Sequence, residues 1–158
     1  LDLADFLRSS LRLGARETSP LGDELGLVER YLAIEQVRFG TRLRLARETD
    51  DEIAGCGVPP LILQPLVENA VNHGIADLLE GGEVRIEARR RGERVAISVE
   101  NPFDAESEQR RGEGVGLANV RARLLACYGD EALLDVRRGA RTFRVEIELP
   151  AAPAGAVH

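Results

Sequence analysis

The sequence predicts an α/β two-layer sandwich, in which a mixed, largely antiparallel sheet has helices on one face and a helical extension precedes it. Three observations support this fold class. The 158 residues are 44% hydrophobic, enough for one buried core. Five short segments alternate apolar and polar side chains, as strands with one buried face do. Helical periodicity precedes these segments and recurs between them.

Two helices are predicted in the N-terminal extension. Residues 3–13 carry leucine and phenylalanine at helical spacing and stop before Gly14. A second helix is expected from Ser19-Pro20, as N-cap and first helical residue, to Phe39-Gly40. Its apolar face is wide, which fits burial both in its own domain and against a partner helix. Packing within one domain fits the pattern equally well.

The remaining elements follow the order β-α-β-β-loop-α-β-β. They are a strand at 42–48, a helix from Pro59-Pro60 to about His73, strands at 84–88 and 95–99, a helix from Gly116 to Gly129, and strands at 133–136 and 143–149. Short glycine turns inside the last two strand pairs imply antiparallel hairpins. The predicted divisions are a helical segment at 1–41, an α/β domain at 42–150 and a disordered tail at 151–158.

Composition excludes several classes of function. All 21 basic residues are arginine, so no lysine nucleophile, Schiff base or P-loop lysine exists. The net charge of −6 gives no general support for nucleic-acid binding. Two histidines make a multi-histidine metal site very unfavourable. Two cysteines indicate reduced thiols and a cytoplasmic location. No apolar run approaches the roughly 20 residues that cross a bilayer.

The first candidate cluster lies in the segment VENAVNHG, residues 67–74. Asn69, Asn72 and His73 stand at i, i+3 and i+4 and would share one helix face. Such side chains can bind a polyphosphate, and an asparagine oxygen can join nucleotide phosphates and water around Mg²⁺. The neighbouring Glu68 could polarise water or support the metal. The alternative is an ordinary solvated helix face, which the pattern alone favours.

The second candidate cluster is a glycine alternation before a helix. Gly112, Gly114 and Gly116 let the backbone approach a ligand, and the following helix offers free N–H groups to an anion. Arg121 and Arg123 add cationic donors. The spacing fits neither a dinucleotide fingerprint nor, without lysine, a Walker A loop. A flexible glycine loop is the alternative.

A third candidate is Asn101, at the end of a predicted strand. Its side-chain amide could accept one hydrogen bond from a purine edge and donate another to it. The alternative is that Asn101-Pro102 is an ordinary turn, since this dipeptide is common in turns. Thr142 is a similar case, either a plain strand residue or a base contact.

Together these segments resemble the ATP-binding domain of the GHKL superfamily, and more narrowly LytS/AlgZ-type sensor histidine kinases. PPLILQPLVENAVNHG resembles that group's N box, and GEGVGLANVRARLLACYG resembles its second glycine box. GARTFRVEIELP resembles the closing strands, and SPLGDELGLVERYLAIEQVRFGTRL resembles the linker after the dimerisation helices. The resemblance covers about residues 3–150.

The resemblance implies a Bergerat-type sandwich with ATP and Mg²⁺ as cofactors. Asn69 would coordinate Mg²⁺, Asn72 and His73 would face the phosphates, and Asn101 would meet adenine with Thr142 beside it. The glycine-box residues implied to bind ATP are Gly112, Gly114, Gly116, Leu117, Asn119 and Arg121, with 103–115 as a lid. The γ-phosphate would pass to a histidine on a missing upstream dimerisation helix, and then to a response regulator, expected to be of the LytTR type. The parent would be a homodimer through its upstream helices, with inner-membrane anchoring left open.

Departures from the family pattern leave two alternatives open. Neither His73 nor His158 has the context of the phosphoacceptor histidine, so the fragment should not autophosphorylate alone. Asn101 replaces the usual adenine-reading aspartate, and the glycine that normally follows is missing, which could weaken adenine binding. One alternative is therefore a nucleotide-binding regulatory module with weak or lost kinase activity. Another is a dimerisation scaffold that binds no nucleotide.

Overall fold

A five-stranded sheet and the helices on one of its faces form the two layers of the molecule. The computed structural model describes residues 3–14, 18–104 and 115–155. The helices are α1 (Leu3–Gly14), α2 (Leu21–Phe39), α3 (Gln64–Ala70) and α4 (Val115–Tyr128). The strands are β1 (Ser19–Pro20), β2 (Leu43–Thr49), β3 (Gly57–Val58), β4 (Gly82–Arg91), β5 (Arg94–Pro102), β6 (Leu133–Arg138) and β7 (Thr142–Pro150).

The strand order of the large sheet is β2-β4-β5-β7-β6. Only β2 and β4 run parallel, because the chain between them crosses over through α3. The other neighbours are antiparallel, and β4–β5 and β6–β7 are the two predicted hairpins. Gly92 turns the first hairpin at a φ of +61°. The predicted fold class, a mixed and largely antiparallel sheet in an α/β sandwich, is confirmed.

The two faces of the sheet differ in polarity, which explains why helices cover only one. Val84, Ile86 and Ala88 of β4 are fully buried beneath the helices. The alternate residues of the neighbouring strands carry opposite charges: Arg144 lies 3.6 Å from Glu87 and 3.2 Å from Glu146. Because each ion pair is partly solvated, this outer face remains stable in water without a second helical layer.

The N-terminus of α2 differs from the prediction. Pro20, and not Ser19, is the N-cap residue, and no side chain caps the helix; Ser19 and Pro20 form β1 and pair with Val58 and Gly57. The first free N–H groups of α2 bind carbonyls of a neighbouring turn instead, with Leu21 donating to Cys56 O at 2.8 Å. A tertiary contact therefore supplies what a side-chain cap would have supplied.

The start of α3 also differs from the prediction. The helix begins at Gln64 with Pro65 in its first turn, and not at Pro59-Pro60. Leu61 has a φ of +58°, a left-handed conformation that prevents a helix from passing through it. At the other end α3 continues as a π-helical turn, Val71–Ile75, in which Ala76 donates to Val71 O at 2.9 Å. The apolar stripe predicted for this helix is buried as expected.

Helix α2 belongs to the same core as the sheet. Leu25, Val28 and Leu32 are buried in one cluster with the strands and α3. On another side of α2, Tyr31 packs against Phe6 of α1 with ring centroids 5.9 Å apart. The wide apolar face is thus buried on two sides within this chain. A domain division between residues 41 and 42 stays a prediction.

Residues 151–155, which the sequence predicts as part of a disordered tail, form hydrogen bonds with the chain at and just before β3 and with Thr18. Gly57 donates to Ala152 O at 2.7 Å, and Ala154 donates to Gly55 O at 3.0 Å. Gly155 donates to the Thr18 hydroxyl at 2.7 Å. Low-complexity residues can be held by backbone hydrogen bonds, which composition does not reveal. Residues 156–158 lie outside the described part.

In the part of the chain that the structure describes, the helices are too short or too polar to span a lipid bilayer.

Candidate functional site

The predicted polar residues of α3 lie on the side of the helix that faces away from the sheet. Leu66, Val67 and Ala70 are buried. Asn69 is half-buried and Glu68 is exposed, and Glu68 Oε1 accepts from Gln64 Nε2 at 3.0 Å. This hydrogen bond is an ordinary i, i+4 contact and leaves the other carboxylate oxygen for solvent or a metal-bound water.

Asn72 and His73 belong to the π-helical turn. Asn72 is exposed and His73 is half-buried. The wider turn changes the angle between these residues and Asn69, so the three do not follow the regular helical spacing assumed from the sequence. π-helical turns inside α-helices are frequent at functional sites because they redirect side chains at a small cost in hydrogen bonding.

Asn101 meets the end of this helix. The residue is the penultimate one of β5 and is 3% exposed, with Nδ2 donating to Pro102 O at 2.8 Å. A Cβ placed on Gly74 would lie 2.4 Å from Asn101 Nδ2 and 2.8 Å from Pro102 O. Only glycine therefore allows the backbone after His73 to approach the strand so closely. The structure brings the first and third predicted clusters together at this contact.

The glycine box is described only in part. Gly112 and Gly114 lie outside the described residues, as does most of the predicted lid. Gly116 begins the contact of α4 with α3, since its ideal Cβ would lie 3.6 Å from Pro65 Cβ. Leu117 is buried, whereas Asn119 and Arg121 are exposed. The first turns of α3 and α4 are therefore adjacent.

The predicted lid cannot begin at residue 103. Phe103 is buried and packs edge-on against Phe143, with ring centroids 6.1 Å apart. Its N–H donates to Arg141 O at 3.1 Å. These contacts extend the β5–β7 pairing by one residue, and the chain is anchored up to this point.

Thr142 is not brought together with Asn101. In the β5–β7 register Asn101 lies opposite Phe143, while Thr142 lies opposite Pro102. Partners in an antiparallel pair share a face and successive residues alternate, so the Thr142 side chain points to the other face. Thr142 is exposed, which agrees with this assignment.

A cleft of about 600 Å³ opens one residue beyond Asn101. It is lined by the loop after α3 and by two strand ends: Asp77–Gly81, Pro102–Asp104, Ala140 and Arg141. Asn69, Asn72 and His73 do not line it. Arg141 was not predicted as a site residue, because its sequence position indicates only a turn before β7.

Two arginines that looked like surface charges instead support the site. Arg42 donates to Leu78 O at 2.6 Å and to Ile75 O at 3.3 Å, and so caps the chain that leaves the π-helical turn. Arg123, predicted as a donor for an anion, donates to Leu61 O at 3.2 Å and to Pro60 O. Alternation predicted a strand position for Arg42 but gave no sign of these long-range contacts.

The described residues contain no group of three or more histidine, cysteine, aspartate or glutamate side chains that could hold a metal ion. A divalent ion at Asn69 would therefore take most of its ligands from a bound phosphate and from water.

Comparisons with known proteins agree with this fold. The family model described as "Histidine kinase" matches residues 1–43. Sensor histidine kinase BtsS of Escherichia coli K12 is 33% identical over 149 residues, which are 94% of this chain and 26% of the relative. Sensor protein LytS of Oceanobacillus iheyensis is 27% identical over 164 residues, 95% of this chain and 28% of the relative. The chain thus spans about a quarter of the length of these relatives.

Solved structures show the same architecture. The histidine kinase domain of the Erythrobacter litoralis blue-light activated kinase EL346 aligns with a TM-score of 0.62 and 20% identity, covering 93% of this chain and 72% of that one. Full-length ShkA in complex with AMPPNP aligns with a TM-score of 0.59 and 24% identity, covering 98% of this chain and 36% of that one.

The fold is therefore the α/β fold of solved histidine kinase domains. Within that class, the sequence relatives are sensor kinases, among them LytS. We conclude that the chain belongs to the sensor histidine kinases, the class of its sequence relatives BtsS and LytS.

Proposed function

We propose that this chain is the ATP-binding catalytic domain of a two-component sensor histidine kinase. It would transfer the γ-phosphate of ATP to a histidine on an upstream dimerisation helix, from which a response regulator would receive it. The observation that carries the proposal is the contact at Gly74. This contact joins Asn101 to the helix of Asn69, Asn72 and His73, within a fold shared with histidine kinase catalytic domains.

In this proposal Asn101 recognises the adenine. Its amide is buried at the end of β5, and the cleft of about 600 Å³ begins at the next residue. A buried amide can distinguish a purine edge from water, because unpaired polar groups are costly in a buried site. Asn72, His73, Asn119 and Arg121 would approach the phosphates, with Gly112, Gly114 and Gly116 forming the cover.

The donor set fits Mg²⁺ held largely by the nucleotide. Asn69 offers one neutral oxygen from a rigid helix, and the exposed Glu68 beside it can accept from a metal-bound water. When bound, the metal ion would neutralise charge on the phosphates. The residues of α3 would hold the nucleotide in line with an incoming histidine, and this requires position more than acid–base chemistry.

The phosphoacceptor and the partners would lie outside this chain. His73 belongs to the proposed phosphate site, so it is not the acceptor. We propose a homodimer formed through upstream helices, a response regulator of the LytTR type as the second acceptor, and a cytoplasmic position where ATP is available.

Substitution of Asn69 tests the proposal directly. Asn69→Ala should reduce Mg·ATP binding by at least about tenfold, since one metal ligand is lost, while the wild-type protein in EDTA should bind equally weakly. Isothermal titration calorimetry of the purified fragment measures both. Gln36→Ala removes an amide of α2 that donates to Leu43 O at 3.2 Å, outside the proposed site, and serves as the control with unchanged affinity. Equal Mg·ATP affinity of Asn69→Ala and wild type would exclude the proposed metal role, and no binding by wild type would favour the scaffold alternative.

The regulatory-module alternative has one observation in its favour. The adenine-reading position holds a neutral amide whose Nδ2 already donates to Pro102 O at 2.8 Å, so only part of its hydrogen-bonding capacity is available to a base. Under this alternative the domain would bind nucleotide weakly and transfer no phosphate.

A further inference from the structure

The turn at Leu61 is the most strained backbone position in the described part of the chain. Leu61 has a φ of +58° and is the only non-glycine residue there with a positive φ. A left-handed conformation costs a residue with a Cβ about 1–2 kcal/mol, so neighbouring groups must hold it.

Charged side chains from two helices hold both peptide groups of this turn. Glu24 of α2 accepts the Leu61 N–H through Oε1 at 2.6 Å. Arg123 of α4 donates to Leu61 O at 3.2 Å and to Pro60 O. The turn therefore connects α2 and α4, although Glu24 and Arg123 lie almost one hundred residues apart in sequence.

Glu24 is unusual for a carboxylate because it is completely buried. Its exposed fraction is 0%, and within the described residues Oε2 has no hydrogen-bond partner. Burial of an incompletely paired carboxyl group is costly. Core packing alone would be better served by an apolar residue, so the contact with Leu61 is the specific interaction that this side chain provides.

The turn comes directly before α3, the helix that carries Asn69 of the proposed nucleotide site. Leu61 precedes the first residue of α3, Gln64, by three positions. Pro65 in the next turn contacts Gly116 at the start of α4. Any change of the Leu61 conformation would therefore alter the approach of α3, with its asparagines, to α4, which follows the glycine box.

We propose that Glu24 is a positioning residue for the nucleotide site. By fixing the left-handed turn at Leu61 it sets α3 against α4, and it thereby links the linker helix α2 to nucleotide affinity. This inference depends on the proposed function, since it assumes that α3 and α4 bind a nucleotide.

Three variants test the inference with Mg·ADP as the probe. Glu24→Ala removes the acceptor and should weaken Mg·ADP binding about tenfold and speed amide exchange of Leu61 about tenfold. Glu24→Gln keeps an acceptor oxygen and should stay within about threefold of wild type in both measurements. Glu29→Ala, which removes an exposed ion pair of the same helix with Arg47, is the matched control.

A fourth variant separates positioning from general stability. Leu61→Gly adopts the left-handed conformation without steric cost, and Leu61 is not part of the buried core. In the Glu24→Ala background it should restore most of the affinity, which a simple loss of core stability would not allow. If Glu24→Ala does not fold, the double variant Glu24→Ala/Leu61→Gly is compared with Glu24→Gln. Similar Mg·ADP affinities of these two proteins would then show the rescue.

The outcomes distinguish the inference from the proposed function. Faster Leu61 exchange with unchanged Mg·ADP affinity would overturn the positioning role and leave the nucleotide site intact. Unchanged exchange in Glu24→Ala would show that Glu24 does not hold the turn, and would overturn the inference as well. Failure of the wild-type protein to bind Mg·ADP would refute the proposed function, together with the inference built on it.

Discussion

At the residue scale, the side chains with the greatest structural consequence are charged groups that bond to distant backbone atoms. Glu24, Arg42 and Arg123 each bind peptide groups more than thirty residues away. Their roles could not be predicted, because local patterns treat such residues as solvent-facing charges. By contrast, Asn69 and Asn101 could be predicted as candidate site residues from the sequence, since they stand in recognisable positions on a helix and at a strand end.

Glu24 also predicts how stability should vary with pH. Burial raises its pKa from the ordinary 4.5 to about 7, while the Leu61 N–H and Arg123 oppose the rise and Asp23 adds to it. Between pH 4.5 and 7 the folded protein therefore keeps the Glu24 proton that the unfolded chain has already released. The stability that this proton contributes is fully present below pH 4.5 and is lost as the pH rises through 7. The full effect is about 3 kcal/mol, from the difference between the two pKa values.

Glu24→Gln should remove this dependence, because the amide is neutral at every pH. We expect the free energy of unfolding of Glu24→Gln, relative to that of wild type, to rise by up to about 3 kcal/mol from pH 5 to pH 8. Urea denaturation of both proteins at the two pH values measures the difference. A constant difference across this range would show that the carboxyl group does not titrate in the folded protein near neutral pH.

At the element scale, period-two alternation predicted the five strands of the large sheet, since most of them have one apolar and one more polar face. In β5 both faces are largely buried, because Ala96 is 5% exposed and Ser98 is 3% exposed. The β4–β5 hairpin was predictable from its glycine turn, which is a local signal. The beginning of α3 was not, because the conformation of Leu61 depends on Glu24, a residue 37 positions earlier. The approach of Gly74 to Asn101 is equally non-local, and so the site's central contact was absent from the sequence-based prediction.

Gly74→Ala tests the contact between α3 and β5. The new Cβ would lie 2.4 Å from Asn101 Nδ2, so the helix end or the strand must move. We expect a loss of stability of about 1–3 kcal/mol, as for other overpacked sites, and weaker Mg·ATP binding. Chemical denaturation and calorimetry measure the two effects.

Gly26→Ala is the matched control for Gly74→Ala. Gly26 lies in α2, and its ideal Cβ has no heavy atom within 4 Å. Alanine there should stabilise the protein by about 0.5–1 kcal/mol through helix propensity. If both alanine variants behave alike, the close approach at Gly74 is not important for the site.

At the scale of the whole molecule, one sheet face carries the core and site, and the other carries solvated ion pairs. The charged face includes Arg91 with Glu146 at 3.0 Å and Arg89 with Glu48 at 2.7 Å. With a net charge of −6, this surface favours solubility and not further association of the sheet. The two-layer fold was predictable as a whole because the alternation of apolar and polar side chains recurs in several strands of the large sheet.

The proposed reaction belongs to an assembly larger than this chain. The fragment alone should incorporate no label from γ-³²P-ATP, because the proposed acceptor histidine lies on another segment. Addition of the parent's histidine-bearing helices as a separate polypeptide should give labelling of that polypeptide. Nucleotide binding without label transfer in this mixture would instead favour the regulatory-module alternative.

The hydrogen bond from Gly155 to Thr18 shows that the first and last residues of the α/β unit lie close together. A short peptide could join these two points without crossing the sheet or the candidate cleft. A circularly permuted version, opened at the exposed turn of Gly92 and Glu93, is therefore compatible with this topology. In such a molecule a loop, and not a preceding helix, would connect to the N-terminus of α2. The nucleotide site could then be studied without conformational coupling to segments upstream of α2.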